Sequence, residues 1–205
     1  MKSIDLLMII AIIAVVFAAV NLVIIINKIG GIETLTGFAI DTGTANLSIT
    51  GVAQVNFTTY VINWGSGYVN ASELSCELNT NGINNCTDFT TVSTGLILEN
   101  IGNVNVTLNL SSDKNAASFI GGSDVTPIYE WNVSQSEAGS CVNGTGFVKT
   151  EITTYTTVTT TPQLACEQFG YDTLDTLEID LKVVIPSDAA GTKGSVITAT
   201  ATAIS

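Results

Sequence analysis

Four carboxylates lie close together in the C-terminal part of the chain: Asp172, Asp175, Glu178 and Asp180. Clustered carboxylate oxygens are the usual ligands of Ca²⁺, and a pair of carboxyl groups performs the chemistry of most glycoside hydrolases. However, segment 177–185 alternates apolar and polar residues and places Glu178 and Asp180 on the outer face of a predicted strand, where charges are common. We therefore expect a solvated polar face. A structural divalent cation is the less favoured interpretation, and no metal-ligand set or catalytic residue is assigned.

Other residue types that carry chemistry are missing from the sequence. The chain has no His, which is the residue most used for proton transfer near neutral pH and the commonest metal ligand. No Gly-rich phosphate loop precedes a helix, and no Ser lies in a nucleophile elbow. The sequence therefore predicts a protein that is not an enzyme and that has no cofactor.

The charge balance argues against nucleic acid as a partner. Six Lys and no Arg stand against eighteen acidic residues, which gives a net charge of −12. A polyanion is repelled by this charge, and no guanidinium is present to bind phosphate or guanine in a bidentate way. An acidic surface of this kind is typical of a soluble protein, because copies of the protein repel one another.

Four cysteines predict two disulfides and hence an oxidising compartment. Cys76 and Cys86 lie symmetrically about Asn81, so a three-residue loop of Thr80, Asn81 and Gly82 would place them opposite each other across a hairpin. Four cysteines allow three connectivities. We favour adjacent pairing, in which the second bond joins Cys141 and Cys166.

Asn-x-Ser/Thr sequences occur eight times, and each is an N-glycan acceptor only if this part of the chain lies outside the cytoplasm. Any single one can arise by chance in a chain so rich in Asn, Ser and Thr. Eight of them lead us to expect that some carry sugar. The candidate acceptors are Asn46, Asn56, Asn70, Asn85, Asn105, Asn109, Asn132 and Asn143.

The first element that positions these residues is an apolar helix in residues 1–31. Residues 6–26 are apolar except for Asn21, a length of about 32 Å that matches the hydrocarbon core of a bilayer. The segment is a cleaved signal, a membrane anchor or an assembly rod. The apolar run continues past Ala18 and Ala19, so we expect the helix to stay with the protein. Gly30 and Gly31 end it and are a candidate hinge.

One face of this helix carries residues suited to close helix packing. Ala11, Ala14, Ala18 and Asn21 recur at spacings of three and four, so another helix can approach closely and find a hydrogen-bond partner. Chance is an equal explanation, because Ala is common in membrane helices. Asp5 is costly in lipid unless it meets a cation such as Lys2 or an amino terminus. These five residues are the predicted helix-packing residues.

Residues 32–205 change to a period of two, which predicts an all-β antiparallel sandwich. Segment 103–112 puts Val104, Val106, Leu108 and Leu110 on one face. Turn signals rich in Gly and Asn separate this segment from similar ones at 52–64, 177–185 and 195–203. No helix is predicted past residue 31.

The chain resembles the archaeal type IV pilin-like proteins, the pilins and archaellins. The resemblance is carried by the apolar rod 4–28, the Gly30-Gly31 break, "INWGSG" at 62–67 and "ENIGNVNVTLNL" at 99–110. It implies an immunoglobulin-like (Ig-like) sandwich head outside the cell. The sequence departs from the family in its start, since only Met1-Lys2-Ser3 precede the apolar run and no Gly marks a leader cleavage site.

The resemblance implies a structural subunit of an extracellular filament related to type IV pili or archaella. The helices would pack in the core, and the heads would face outward with covalent N-glycans. The partners would be copies of the chain in a helical homopolymer, with the membrane holding it before assembly. The alternative is a single-pass membrane-anchored surface glycoprotein or adhesin, which differs only in what the helix packs against.

Overall fold

The computed structural model of the chain describes residues 3–30, 47–146 and 150–204. It divides into two compact units, Met1–Ser48 and Ile49–Ser205. Helix α1 covers Ser3–Gly30 in the first unit. The predicted domain boundary between residues 31 and 32 lies outside the described residues, as do Gly31 and Asn46.

The second unit is a β-sandwich. Among its described residues a second helix, α2 (Ala116–Phe119), is a single turn that the period-two pattern did not predict. Asn115 caps it, because its side chain accepts from the Ser118 amide while the Ser118 hydroxyl accepts from the Asn115 amide. The strands are β1 (Val55–Thr59), β2 (Ser75–Asn79), β3 (Leu96–Asn100), β4 (Val106–Ser112), β5 (Ile128–Gln135), β6 (Cys141–Val142), β7 (Thr156–Thr157), β8 (Gln163–Phe169), β9 (Thr176–Pro186) and β10 (Ile197–Ala203).

The strands form two antiparallel sheets within the described residues. One sheet has the order β1-β3-β9-β5-β7, with β2 paired to β9 on the same side as β3. The other has the order β10-β4-β8-β6. This arrangement confirms the predicted apolar helix followed by an antiparallel sandwich. The Ig-like assignment within that class stays a prediction.

Alternation along the central strands builds the core between the sheets. Val106, Leu108 and Leu110 of β4 are fully buried, as the period-two pattern predicts. From the other sheet, β9 contributes Leu177 and Ile179, which are also fully buried. Every second side chain of a strand points to the same face of the sheet. When the residues on that face are apolar, the face packs into the core.

Each disulfide joins one cysteine to the next cysteine along the chain. Cys76 is bonded to Cys86, and Cys141 is bonded to Cys166. The first closes a hairpin whose loop is Thr80-Asn81-Gly82, since the Asn79 amide donates to the Ile83 carbonyl and Gly82 has a φ of 90°. Glycine adopts this left-handed conformation without a steric penalty. The second disulfide lies in the fully buried core of the four-stranded sheet.

Candidate functional site

The most distinctive surface of the chain is the helix α1. Residues Leu7–Lys28 form a segment of 22 residues that is long and apolar enough to cross a membrane, and its most apolar window of 18 residues has a mean hydropathy of 3.3. Its large apolar side chains are exposed around the whole helix, from 47% at Ile9 to 68% at Val15. A soluble helix normally buries an apolar stripe and exposes a polar face. This helix has no polar face, so lipid or other protein must cover it.

The predicted packing residues lie together on this helix. At 100° per residue, Ala11, Ala14, Ala18 and Asn21 fall within an arc of about 80°. All four are exposed in the single chain, so they are available to a partner helix. Asp5 lies in the first turns of α1, but its side chain is outside the described residues. Gly30 is the last residue of the helix.

The four carboxylates of segment 172–180 do not converge on one point. Asp172 is exposed in a turn with a φ of 77°, and Asp175 accepts a hydrogen bond from the neighbouring Thr176 hydroxyl. Glu178 accepts from the Gly95 amide at 2.8 Å. Among the described residues, no group of three or more His, Cys, Asp or Glu side chains is arranged to hold a metal ion. Asp175, Glu178 and Asp180 therefore accept from separate donors of the protein itself.

Asp180 is the exception to the expected solvated face, because it is 5% exposed. The alternation is correct, but the tip of the β2 hairpin covers the outer face of β9 at this point. Thr80 is fully buried there, and its hydroxyl donates to Asp180 Oδ1 at 2.7 Å. The same hydroxyl accepts from the Leu181 amide at 3.0 Å. The placement of Asp180 in solvent was wrong, because period two gives the face of a residue and not what covers that face.

Burial determines the electrostatics around Asp180. Desolvation raises the pKa of Asp180, and the hydrogen bond from Thr80 opposes this shift. The neighbouring Tyr155 accepts from Asn81 Nδ2 at 3.0 Å, and desolvation together with the charge of Asp180 raises its pKa to about 12. Tyr155 therefore stays neutral at physiological pH and acts as a hydrogen-bonding group.

A salt bridge completes this polar face. Lys182 Nζ lies 2.9 Å from Glu130 Oε2 and 5.5 Å from the centre of the Tyr155 ring. Hydrogen bonding to Glu130 raises the pKa of Lys182. Cation–π and ion-pair contacts of partly exposed groups are individually weak, so these contacts of Lys182 contribute little to the stability of the head.

The head also contains a cavity of about 840 Å³ that the sequence did not predict. It lies between segments 60–69 and 187–197, and Phe119 and Tyr129 are among its lining residues. Trp64 lines it as well, and Trp64 Nε1 is buried without a hydrogen-bond partner among the described residues. A cavity of this size, lined by both apolar and polar side chains, can take a small ligand. The only sequence signal was the concentration of aromatic residues in segment 57–68.

The candidate glycan acceptors differ in accessibility. Asn56, Asn70, Asn85 and Asn105 are exposed, whereas Asn109, Asn132 and Asn143 are half-buried. In the Asn70 and Asn143 sequences the side-chain oxygen accepts hydrogen bonds from both the amide and the hydroxyl of the residue two positions on. Asn132 lies in the middle of β5, and its Oδ1 is buried with no partner in the described part of the chain. We therefore expect the exposed acceptors, such as Asn70, to carry sugar in preference to Asn132.

No family model, curated protein or solved structure matches the chain. The resemblance to pilins therefore stays a prediction from the sequence, with which the apolar helix and the antiparallel β-sheets agree in general shape only.

Proposed function

We propose that the protein is a structural subunit of an extracellular filament of the type IV pilus or archaellum kind. In this filament the α1 helices of many copies pack together in the core, and the β-sandwich heads face outward. The observation that carries the proposal is the exposure of apolar side chains on all faces of Leu7–Lys28. The proposal assigns the protein no catalytic step.

In water, the free energy of the chain is lower when the apolar side chains of α1 are covered than when they are exposed. Removing a large apolar side chain from water contributes about 1.5–3 kcal/mol, and residues 7–26 contain many such side chains. Outside the membrane, packing the helices of neighbouring copies is the way to gain this energy. Inside lipid the gain disappears, because lipid tails are as apolar as the side chains. There, close packing at the Ala stripe and hydrogen bonding by Asn21 would hold helices together before assembly.

The head has properties suited to the outside of a filament. Two disulfides indicate an oxidising compartment, and exposed Asn-x-Ser/Thr sequences offer sites for N-glycans. The acidic composition keeps the heads soluble.

The second candidate function is a single-pass anchored surface glycoprotein or adhesin. The observation that favours it is the length of the 22-residue apolar segment, about 33 Å, which matches a bilayer core of about 30 Å. The two functions differ in what covers the helix.

The test compares two matched substitutions in α1. Ala14→Leu enlarges a residue of the small stripe, whereas Ala19→Leu makes the same change about 120° away from the middle of that stripe. Both keep the segment apolar, so membrane insertion is retained. Filaments sheared from producing cells are collected, identified by mass and imaged by cryo-electron microscopy.

A filament subunit is expected to lose most of its sheared filaments with Ala14→Leu and to keep them with Ala19→Leu. If the wild-type chain stays in the membrane fraction and no filament contains it, the proposal is refuted and the anchored glycoprotein is supported.

A further inference from the structure

Among the described residues, five strands have a side that no other strand of the two sheets covers, and these sides differ in how open they are to another strand. The outer side of β2 bonds to the return of its own hairpin, since the Asn79 amide donates to the Ile83 carbonyl and the Asn85 amide donates to the Glu77 carbonyl. β6 and β7 contain two residues each, and β1 contains five with an irregular register between Phe57 and Thr59. Strand β10 is seven residues long and pairs with β4 in unbroken register from Ile197 to Ala203. Short or irregular edges resist pairing, and a long regular edge invites it.

The backbone groups on the free side of β10 can be identified from its hydrogen bonds. The Asp113 amide donates to the Val196 carbonyl, and the Ile204 amide donates to the Asn105 carbonyl. In an antiparallel pair the bonding direction alternates, so even-numbered residues bond to β4. The amides and carbonyls of Ile197, Ala199, Ala201 and Ala203 therefore point to the outer edge, where no strand in the described part of the chain pairs with them. Unpaired backbone groups of this kind are a template for a further strand.

The side chains of β10 suit pairing with an identical strand. Segment 194–204 contains no charged residue and no Pro, although the chain as a whole has a net charge of −12. Two copies repel each other over most of their acidic surface, and a neutral edge avoids that cost. Thr198, Thr200 and Thr202 are exposed on the outer face. Opposed Thr side chains stabilise a pair of strands.

We propose that β10 is a contact between two copies of this chain, in which the strands pair antiparallel about Thr200 and join the two four-stranded sheets. The register sets Thr200 opposite Thr200 of the second copy, and Thr198 opposite Thr202. The free backbone groups of Ala199 and Ala201 then bond to one another across the contact. The Thr pairs fall in non-hydrogen-bonded positions, where Cα atoms are about 4.5 Å apart. A membrane-anchored chain can make the same contact, so this proposal does not depend on a filament.

The first test is disulfide cross-linking of the full chain in detergent micelles. A Cα separation of about 4.5 Å permits a disulfide, so Thr200→Cys should form a covalent dimer under mild oxidation. Thr157→Cys is the matched control, because Thr157 is an exposed Thr on the edge strand β7. The dimer, twice 21.4 kDa on a non-reducing gel, is expected at least about tenfold faster with Thr200→Cys than with the control.

The second test fixes the direction of pairing by charge. Thr198→Lys combined with Thr202→Glu places opposite charges across an antiparallel contact. Thr198→Lys combined with Thr202→Lys places like charges there. Both positions are exposed, so both variants should fold. The dimer dissociation constants, measured by sedimentation in detergent, are expected to differ by about tenfold in favour of the opposite-charge variant.

Equal cross-linking rates for Thr200→Cys and Thr157→Cys would overturn the proposal. Equal dissociation constants for the two charge variants would overturn it as well. The Ala14→Leu substitution, added to Thr200→Cys, separates this contact from the filament. Loss of filaments with unchanged cross-linking supports both proposals, whereas loss of cross-linking with Ala14→Leu means that α1 makes the dimer and refutes the β10 contact.

Discussion

Thr80 is predicted to stabilise the head through its contact with the buried Asp180. Its hydroxyl donates to Asp180 Oδ1 at 2.7 Å and accepts from the Leu181 amide at 3.0 Å. Thr80→Val keeps the shape of the side chain and removes both hydrogen bonds. A hydrogen bond to a charged group contributes about 1.5–3 kcal/mol, and an unsatisfied buried amide costs about 1–3 kcal/mol. We expect Thr80→Val to lower the free energy of unfolding by about 2–5 kcal/mol at pH 7.

The cost of Thr80→Val should depend on pH. Desolvation raises the pKa of Asp180 above its ordinary value of 3.8, so the folded state retains a proton that the unfolded state has lost. Stability from this group is therefore fully present below pH 3.8 and falls as the pH rises through the folded pKa. Removing the Thr80 hydroxyl raises the folded pKa further. The destabilisation should thus be larger at pH 7 than below pH 3.8.

The assay is thermal unfolding of the full chain in detergent, followed by tryptophan fluorescence at both pH values. The expected loss at pH 7 corresponds to a fall in Tm of about 5–15 °C. Thr80→Ser is the matched control, because it keeps the hydroxyl and loses one methyl group worth about 0.8 kcal/mol. Asp180→Asn in the Thr80→Val background should remove the pH dependence. If Thr80→Val and Thr80→Ser unfold alike at both pH values, the buried hydrogen bond does not stabilise the head.

Three further predictions concern the core, the second disulfide and the glycans. Leu108→Ala removes a fully buried side chain between the sheets and should cost about 2–5 kcal/mol in chemical unfolding; a cost under about 1 kcal/mol would contradict its place in the core. Replacing Cys141 and Cys166 together with Ala opens a loop of 25 residues and should cost about 3.5 kcal/mol, measured in the same way; unchanged stability would mean that this bond is dispensable. Mass spectrometry of glycopeptides should find sugar on the exposed Asn70 and none on Asn132, which lies half-buried in β5; the reverse result would refute the ranking by accessibility.

Local pattern in the sequence was sufficient for the architecture. An apolar run as long as residues 6–26 can only be a covered helix, because every backbone group is then satisfied internally. Period two in segments 103–112 and 177–185 assigned the faces of β4 and β9 correctly, since side chains alternate along any strand. The symmetric spacing about Asn81 predicted the hairpin for the same reason, since a short loop with Gly82 determines which residues face each other.

The alternation of residues along the sequence did not predict contacts between segments that are distant in the chain. Alternation placed Asp180 on the outer face of β9, but only the folded chain brings Thr80, one hundred residues away in sequence, over that face. The cavity between segments 60–69 and 187–197 has the same origin, because it depends on how two loops pack.

The sequence by itself determined the helix, the faces of the strands and the hairpin, because each follows from spacing along the chain. Only the tertiary structure decided that Asp180 is buried and that β10 lies at an open edge. Burial and sheet order depend on which strands become neighbours, and that choice is made by the packing of the whole core.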